Sequence, residues 1–119
     1  GGIKMTGSEY YTIARLNLPI LSIIVNNRSL GMIRQLQKVL YDERYIACAL
    51  DHEMDYVKYV ESFGIKAVRV STQEEFAAAL KNALEDAAHP RVIVMDVWCS
   101  FVEPMTKGGA RIDEFVDFK

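Results

Sequence analysis

The sequence predicts an α/β fold of three layers, αβα, with a doubly wound, mainly parallel sheet between its helices. Apolar runs without helical spacing stand at 20–25, 67–70 and 91–98. The first of these runs is nearly continuous, which is typical of a strand buried on both faces. Helical patterns separate the runs, and strands that alternate with helices favour a parallel sheet. Right-handed crossovers then bring the carboxyl ends of all three strands to one edge.

Composition sets the broad class of protein. The chain of 119 residues is half hydrophobic and one quarter charged, with a net charge of −2, as is typical of one globular domain. This small charge gives no reason to expect nucleic acid or a membrane surface as a partner. The apolar run at 18–25 is too short to span a bilayer. Two cysteines are too few for a disulfide scaffold, so we expect a cytoplasmic protein.

The elements before the second strand have local signals of their own. Apolar residues at helical spacing predict a first helix from Thr6 or Ser8 to about Leu16, with Ser8 as its N-cap. An amphipathic helix is predicted at 31–40. Mixed, turn-rich sequence at 41–53 indicates irregular structure.

Capping residues define the later helices. Asp55 is the predicted cap of a helix that closes at Gly64, in the usual C-terminal glycine position. A capping box for the next helix fits either at Ser71 with its partner three residues on, or at Thr72 with Glu75. We assign the core face of that helix to Phe76, Leu80 and Leu84.

The last strand and the tail carry weaker signals. Asp96 lies within the apolar run, where it either pairs with a buried base or marks the end of the strand. Periodicity is lost after Phe101. A loop is predicted at 104–109, and one helical turn at 112–115.

The candidate functional site is the junction at 23–32, with the sequence IIVNNRSLGM. A strand ends there in Asn26 and Asn27, and a short turn leads to the helix that begins at Gly31. Amide oxygens suit Mg²⁺, which prefers oxygen ligands and keeps phosphate oxygens as partners. The first turn of a helix binds anions. Paired asparagines are also common in turns, so the residues alone leave both interpretations open.

Longer segments resemble a known enzyme family. Gly1-Gly2, followed about 25 residues later by Asn26-Asn27, is similar to the thiamine-diphosphate motif of glycine-aspartate-glycine and paired asparagines. Four further segments resemble the large catalytic subunit of acetolactate synthase: 17–19 (NLP), 30–35 (LGMIRQ), 40–45 (LYDERY) and 104–109 (PMTKGG). The resemblance covers residues 1–119 as the C-terminal thiamine-diphosphate-binding domain. It implies a fragment of a longer enzyme, with a fold incomplete at the N-terminus.

The resemblance also implies roles for single residues. Mg²⁺ would be held by the side-chain oxygen of Asn27 and the backbone carbonyl of Ser29. The diphosphate would lie against backbone N–H groups of the opening glycines. Ile33 and Leu36 would face the substrate channel. The cofactor-binding residues are then Gly1, Gly2, Asn27, Ser29, Gly31 and Met32.

Two departures from the family pattern limit these expectations. The motif's aspartate, a metal ligand in the family, would fall just before Gly1. The remaining ligands are neutral, so we expect the chain to bind Mg²⁺ weakly. Leu36 stands where the family often has tryptophan, in the channel that inhibitory herbicides occupy. Substrate preference and inhibitor sensitivity therefore stay open.

The implied reaction is that of a transferase in branched-chain amino-acid biosynthesis, which decarboxylates pyruvate and joins the product to a second 2-keto acid. The family's activating glutamate lies in another domain of the partner subunit, and its FAD is bound by a further domain. We therefore assign no catalytic residue here and expect the chain alone to be inactive. Expected partners are 2-keto acids, the remaining domains of the parent protein, copies in a dimer or tetramer, and optionally a regulatory subunit.

Two alternatives stay open. One is another thiamine-diphosphate-dependent decarboxylase or carboligase, which the leucine at position 36 allows. The other is a stand-alone, non-catalytic α/β module that binds a ligand or a partner. The coding sequence upstream of Gly1 distinguishes them, because a glycine-aspartate pair and a distant pyrimidine-binding domain there would favour the synthase.

Overall fold

The computed structural model describes residues 1–50, 52 and 54–97. From the first strand onward the order of helices and strands is the predicted one, and each strand lies within two residues of its predicted position; two short helices stand in place of the single first helix. The loop predicted at 104–109 and the helical turn predicted at 112–115 lie outside the described residues. The elements are α1 (Gly2–Thr6), a 3-10 turn (Gly7–Glu9), α2 (Tyr10–Arg15), β1 (Leu21–Asn26), α3 (Gly31–Leu40), α4 (Tyr56–Glu61), β2 (Lys66–Val70), α5 (Gln73–Glu85) and β3 (Arg91–Asp96).

The described residues fall into two compact units. One contains residues 1–27, 52 and 54–97, and the other contains residues 28–50. The first unit contains the sheet with α1, α2, α4 and α5. Within the described residues, the second unit contains α3 and the segment that follows it.

The strands of the first unit form a parallel sheet in the order β1-β3-β2. The chain passes from β1 to β2 and then returns to β3, so its direction across the sheet reverses. Right-handed connections therefore place α4 and α5 on opposite faces. Val60 of α4 packs with Val92 and Val94, whereas Ala83 of α5 lines a groove with Ile93, which points to the opposite face. The predicted doubly wound arrangement is confirmed.

The core lies between β3 and the helices of the α4 face. Full burial of a valine or isoleucine side chain contributes about 1.5–3 kcal/mol, so this cluster is a main source of stability for the first unit. Its buried members are Tyr10, Ile24, Tyr56, Val60, Ile65, Val92 and Val94.

The expectation that β1 is covered on both faces is wrong. Ile24 and Asn26 are buried, but Ile23 is 44% exposed and Val25 is 59% exposed. Among the described strands β1 is at the edge of the sheet, and α5 packs on β2 and β3. The apolar run therefore indicated a strand, but it did not indicate which of its faces is covered.

The first helical segment begins earlier than predicted. α1 begins at Gly2, and Ser8 lies in the 3-10 turn that separates α1 from α2, where it caps neither helix. Gly7 in that turn is buried against the ring of Tyr59, where an added Cβ would lie 2.8 Å from Tyr59 Oη. This close approach favours glycine at position 7.

The assigned core face of α5 needs one correction. Phe76 and Leu80 are half-buried, but Leu84 is 61% exposed and Ala83 is buried instead. Each step of four residues rotates a side chain by about 40° around a helix of 3.6 residues per turn. After two such steps Leu84 has turned out of the face, whereas Ala83, seven residues after Phe76, has returned to it.

The start of α5 decides between the two possible capping boxes. Thr72 Oγ1 accepts a hydrogen bond of 3.1 Å from the Glu75 N–H, and Glu75 Oε2 accepts one of 3.2 Å from the Thr72 N–H. The capping box therefore consists of Thr72 and Glu75.

We predict that Thr72→Ala lowers the free energy of unfolding by about 0.5–2 kcal/mol, because the Glu75 N–H loses its acceptor. Ser71→Ala is the control, since it removes a neighbouring hydroxyl that is not the cap, and it should change stability by less than about 0.5 kcal/mol. Urea denaturation measures both variants. Equal losses would contradict the assignment of the cap.

Candidate functional site at the carboxyl ends of the strands

Asn26 and Asp96 join the ends of β1 and β3 in the first unit. The two residues are opposite each other in the register of the parallel strands. Asn26 Nδ2 donates a hydrogen bond of 2.8 Å to Asp96 Oδ1, and the Val97 N–H donates one of 2.9 Å to the Asn26 carbonyl. Asn26 is only 6% exposed. It is thus held by β3 through both its side chain and its backbone.

Arg69 extends these contacts to β2 and α4. Its Nη1 lies 3.1 Å from Asp96 Oδ2, and its Nη2 lies 3.6 Å from Asp55 Oδ1. Asp55 is the N-cap of α4, as predicted, and accepts the N–H groups of Val57 and Lys58. The set Asn26, Asp96, Arg69 and Asp55 is termed the strand-end network.

The remaining predicted site residues of the first unit lie at two points of the chain. Asn27 directly follows β1 and is half-buried. Gly1 is the N-cap of α1 and Gly2 is its first residue, and both are exposed. In the first turn of a helix a backbone N–H has no intrahelical acceptor. The N–H of Gly2 is therefore a donor of the kind that the predicted role requires.

Ser29 is buried within the second unit. Its hydroxyl donates a hydrogen bond of 2.9 Å to the Cys48 carbonyl. An antiparallel bridge holds its backbone, because the Leu30 N–H donates to the Cys48 carbonyl at 2.8 Å and the Leu50 N–H donates to the Arg28 carbonyl at 3.1 Å. These two bonds use the carbonyls of Cys48 and Arg28, so the Ser29 carbonyl takes no part in the bridge.

α3 begins at Gly31, as predicted, but no side chain caps it. Leu30 stands at its N-cap, and its first turn contains no acidic residue. The N-termini of α4 and α5 are capped by Asp55 and Thr72. The backbone N–H groups of the first turn of α3 thus lack the usual capping acceptor, and the helix dipole favours an anion there.

The polar face of α3 contacts the segment that follows the helix. Gln37 Nε2 donates to the Ile46 carbonyl at 2.9 Å, and Gln37 Oε1 accepts the Ile46 N–H at 3.1 Å. The Arg34 guanidinium lies 4.1 Å from the ring centre of Tyr45, a cation–π contact. Sequence reasoning had no signal for these contacts. Of the residues predicted to line the cofactor or the channel, Met32 and Ile33 are exposed and Leu36 is half-buried.

Sequence reasoning found two members of the strand-end network in their roles, the cap Asp55 and Asp96. For Asp96 the structure supports both interpretations, because Asp96 ends β3 and also pairs with Arg69. Arg69 itself was missed. The signal that could have found it is an arginine inside an apolar strand, since a charge that is half-buried needs a partner.

Two classes of feature are absent from the part of the chain that the structure describes. It contains no group of three or more His, Cys, Asp or Glu side chains that could hold a metal ion. It also contains no helix that is long and apolar enough to cross a membrane.

Comparison with known proteins defines the class. Residues 1–97 match the family described as "Thiamine pyrophosphate enzyme, C-terminal TPP binding domain", and this chain belongs to that family. Its structure is similar to that of the thiamine diphosphate-dependent 4-hydroxybenzoylformate decarboxylase of Rhodococcus jostii RHA1. The TM-score is 0.71 and the identity is 25%, over 81% of this chain and 19% of that chain.

Within the family the chain is similar to acetolactate synthase large subunits, which confirms the resemblance seen in its sequence. It is 33% identical to the probable large subunit of Methanococcus aeolicus over 98% of this chain. It is 32% identical to the isozyme 3 large subunit of Escherichia coli K12 over 96%, and 33% identical to the mitochondrial catalytic subunit of Saccharomyces cerevisiae over 97%. The chain spans only 17–20% of the length of these relatives.

The ionisation of Asp55, one member of the strand-end network, makes stability depend on pH. The hydrogen bond from the Lys58 N–H lowers the pKa of Asp55 below its ordinary value of 3.8; desolvation opposes this, and the positive charges of Lys58 and Arg69 act in the same direction as the hydrogen bond. A lowered pKa means that folding favours the ionised carboxylate. This contribution to stability is therefore complete above pH 3.8 and is lost as the pH falls through the lowered pKa of the folded state.

We predict that Asp55→Asn makes stability less sensitive to acid. Asparagine caps a helix about as well as aspartate does, so the variant keeps the cap and loses only the ionisable group. The difference in unfolding free energy between the parent chain and the variant should shrink between about pH 6 and about pH 2 in urea denaturation. Glu61→Gln, at an exposed carboxylate, controls for the loss of one negative charge. A difference that stays constant with pH would contradict the prediction.

Proposed function

We propose that this chain binds the diphosphate and Mg²⁺ of thiamine diphosphate within an acetolactate synthase-like transferase. That enzyme would decarboxylate pyruvate and join the product to a second 2-keto acid in branched-chain amino-acid biosynthesis. One observation carries the proposal: β1 ends at Asn26, Asn27 directly follows it, and within a few residues the chain enters α3, a helix that no side chain caps. Membership of the family and the similarity to acetolactate synthase large subunits support it.

The proposed ligands of Mg²⁺ are the side-chain oxygen of Asn27 and the backbone carbonyl of Ser29, two residues further along the chain. Both are hard, neutral oxygen donors, which Mg²⁺ accepts together with phosphate oxygens and water. The site fits such an ion, because Asn27 directly follows β1 and part of its surface is exposed. In the described residues no competing cluster of carboxylate, imidazole or thiolate groups is present.

The proposed diphosphate contacts are backbone N–H groups. Gly1 and Gly2 would supply them at the start of α1, and Gly31 and Met32 would supply them in the first turn of α3. Glycine at position 31 lets a phosphate approach the backbone closely. On the same helix, Ile33 and Leu36 would face the substrate.

Thiamine diphosphate, when bound, supplies the electron sink for the decarboxylation of a 2-keto acid. The residues of this chain would bind and orient the diphosphate, and none of them is assigned a proton transfer. In the proposed parent enzyme the activating glutamate and FAD belong to other domains. That enzyme would be a cytoplasmic dimer or tetramer, with a regulatory subunit as an optional partner. The chain alone would then be inactive.

A second candidate is a thiamine-diphosphate-dependent decarboxylase with a different 2-keto acid substrate. The structural similarity to the Rhodococcus decarboxylase favours it. The two candidates share the diphosphate site. They differ in the product that the parent protein forms from pyruvate: only the synthase would form a keto acid of five or more carbons.

We predict that Asn27→Ala weakens the Mg²⁺-dependent binding of thiamine diphosphate by about tenfold or more, the equivalent of about 1.4 kcal/mol. The reason is the loss of one of two proposed protein ligands. Calorimetric titration with and without Mg²⁺ measures the effect. Asn82→Ala, at an exposed position of α5, is the matched control. Binding that is tight and unaffected by Asn27→Ala would show that the metal site is wrongly assigned.

A pair of substitutions at Leu30 tests the diphosphate contact with α3. Asp and Asn cap helices about equally well, so both variants supply the missing cap, but only Leu30→Asp adds a negative charge. We predict that Leu30→Asp binds thiamine diphosphate more weakly than Leu30→Asn, by about 1 kcal/mol or more at low ionic strength. The difference should decrease with added salt. Equal affinities at low salt would place the diphosphate away from α3.

A further inference from the structure

We propose that Asp96 is a positioning residue that acts, through Asn26, on the metal ligand Asn27. The inference rests on the proposed function, because it concerns a residue that orients a proposed ligand and does not itself contact the metal. Its basis is the strand-end network, in which the hydrogen bonds from Asn26 and from Arg69 to Asp96 both lie within the first unit.

The first step is that β3 keeps Asn26 in place. Asn26 is attached at two points, by its side-chain amide to Asp96 and by its carbonyl to the Val97 N–H. A hydrogen bond to a carboxylate is shorter and stronger than one between neutral groups. The backbone at residue 26 is therefore fixed, and this sets the direction in which Asn27 leaves the strand.

The second step is the orientation of the Asp96 carboxylate itself. Its two oxygens have different partners: Oδ1 accepts from Asn26, and Oδ2 accepts from Arg69 at 3.1 Å. The Asp96 side chain is only 17% exposed. A carboxylate with so little access to water is costly unless it is paired and hydrogen-bonded. With both oxygens engaged, it can adopt one orientation only.

The third step is the anchoring of Arg69. Its guanidinium also lies 3.6 Å from Asp55, which caps α4. The planar guanidinium directs its donors in fixed directions, so Arg69 holds Asp96 relative to a helix as well as to a neighbouring strand. The network thus connects Asn27 to three strands and one helix, in the way that outer-shell partners orient metal ligands.

An exchange of the amide and the carboxylate tests the inference. Asn26→Asp alone sets two carboxylates against each other and breaks the hydrogen bond. Combined with Asp96→Asn, the bond forms again in reverse, because the new amide at position 96 donates to position 26 and accepts from Arg69. Asn82→Asp makes the same chemical change on the exposed side of α5 and is the control. Circular dichroism verifies that each variant is folded.

Two measurements are made on the 119-residue chain. The first is hydrogen exchange of the Val97 amide, which donates to Asn26, together with the backbone NMR signals of Asn27. The second is the affinity for Mg²⁺ in the presence of thiamine diphosphate. For Asn26→Asp we expect faster exchange at Val97, shifted Asn27 signals and an affinity lower by about 10- to 100-fold. The double variant should recover both properties, and Asn82→Asp should change neither.

Each other result has a definite meaning. Unchanged exchange at Val97 and unchanged Asn27 signals in Asn26→Asp would overturn the inference. So would a double variant that recovers the exchange rate but not the affinity. If the parent chain binds no Mg²⁺ while the exchange results are as expected, the proposed function fails and the hold on Asn27 stands. Should Asn26→Asp not fold, Arg69→Gln, which keeps the bond between Asn26 and Asp96, gives a milder form of the same test.

Discussion

The pairing of β3 with both of its neighbours is the constraint on which the first unit depends. β1 and β2 are not paired with each other; each is hydrogen-bonded to β3. Val92, Ile93 and Val94 of this strand are buried on both faces of the sheet. The register of the same strand sets Asn26 opposite Asp96. The hydrophobic core and the polar end of the sheet therefore follow from one arrangement of hydrogen bonds.

The helices of this chain begin in two different ways. α4 and α5 carry their own capping side chains, so their first turns are satisfied locally. α1, α2 and α3 begin without such a cap. Natural helix ends usually find an acceptor for these N–H groups in a side chain, in water or in a ligand. The diphosphate contact that we propose for α3 would supply such an acceptor.

Local patterns predicted the elements of this fold well and their packing less well. The bounds of α3 and the caps at Asp55 and Thr72 depend on residues within one or two turns, so the sequence contains their signals. The exposed side chains of Ile23, Val25 and Leu84 were expected to be covered. Whether they are depends on which elements pack against them, and periodicity cannot indicate that.

Patterns along the chain were sufficient to identify the α/β class, the order of the elements from the first strand onward, the resemblance to acetolactate synthase and the junction that contains Asn27 and Ser29. These properties depend on patterns and motifs that are contiguous along the chain. The folded sheet was needed to show that Asp96 pairs with Asn26 and Arg69, which lie 70 and 27 residues away along the chain. Hydrogen bonds between strands depend on strand order and register. Both are set by the packing of the whole sheet, and no local pattern encodes them.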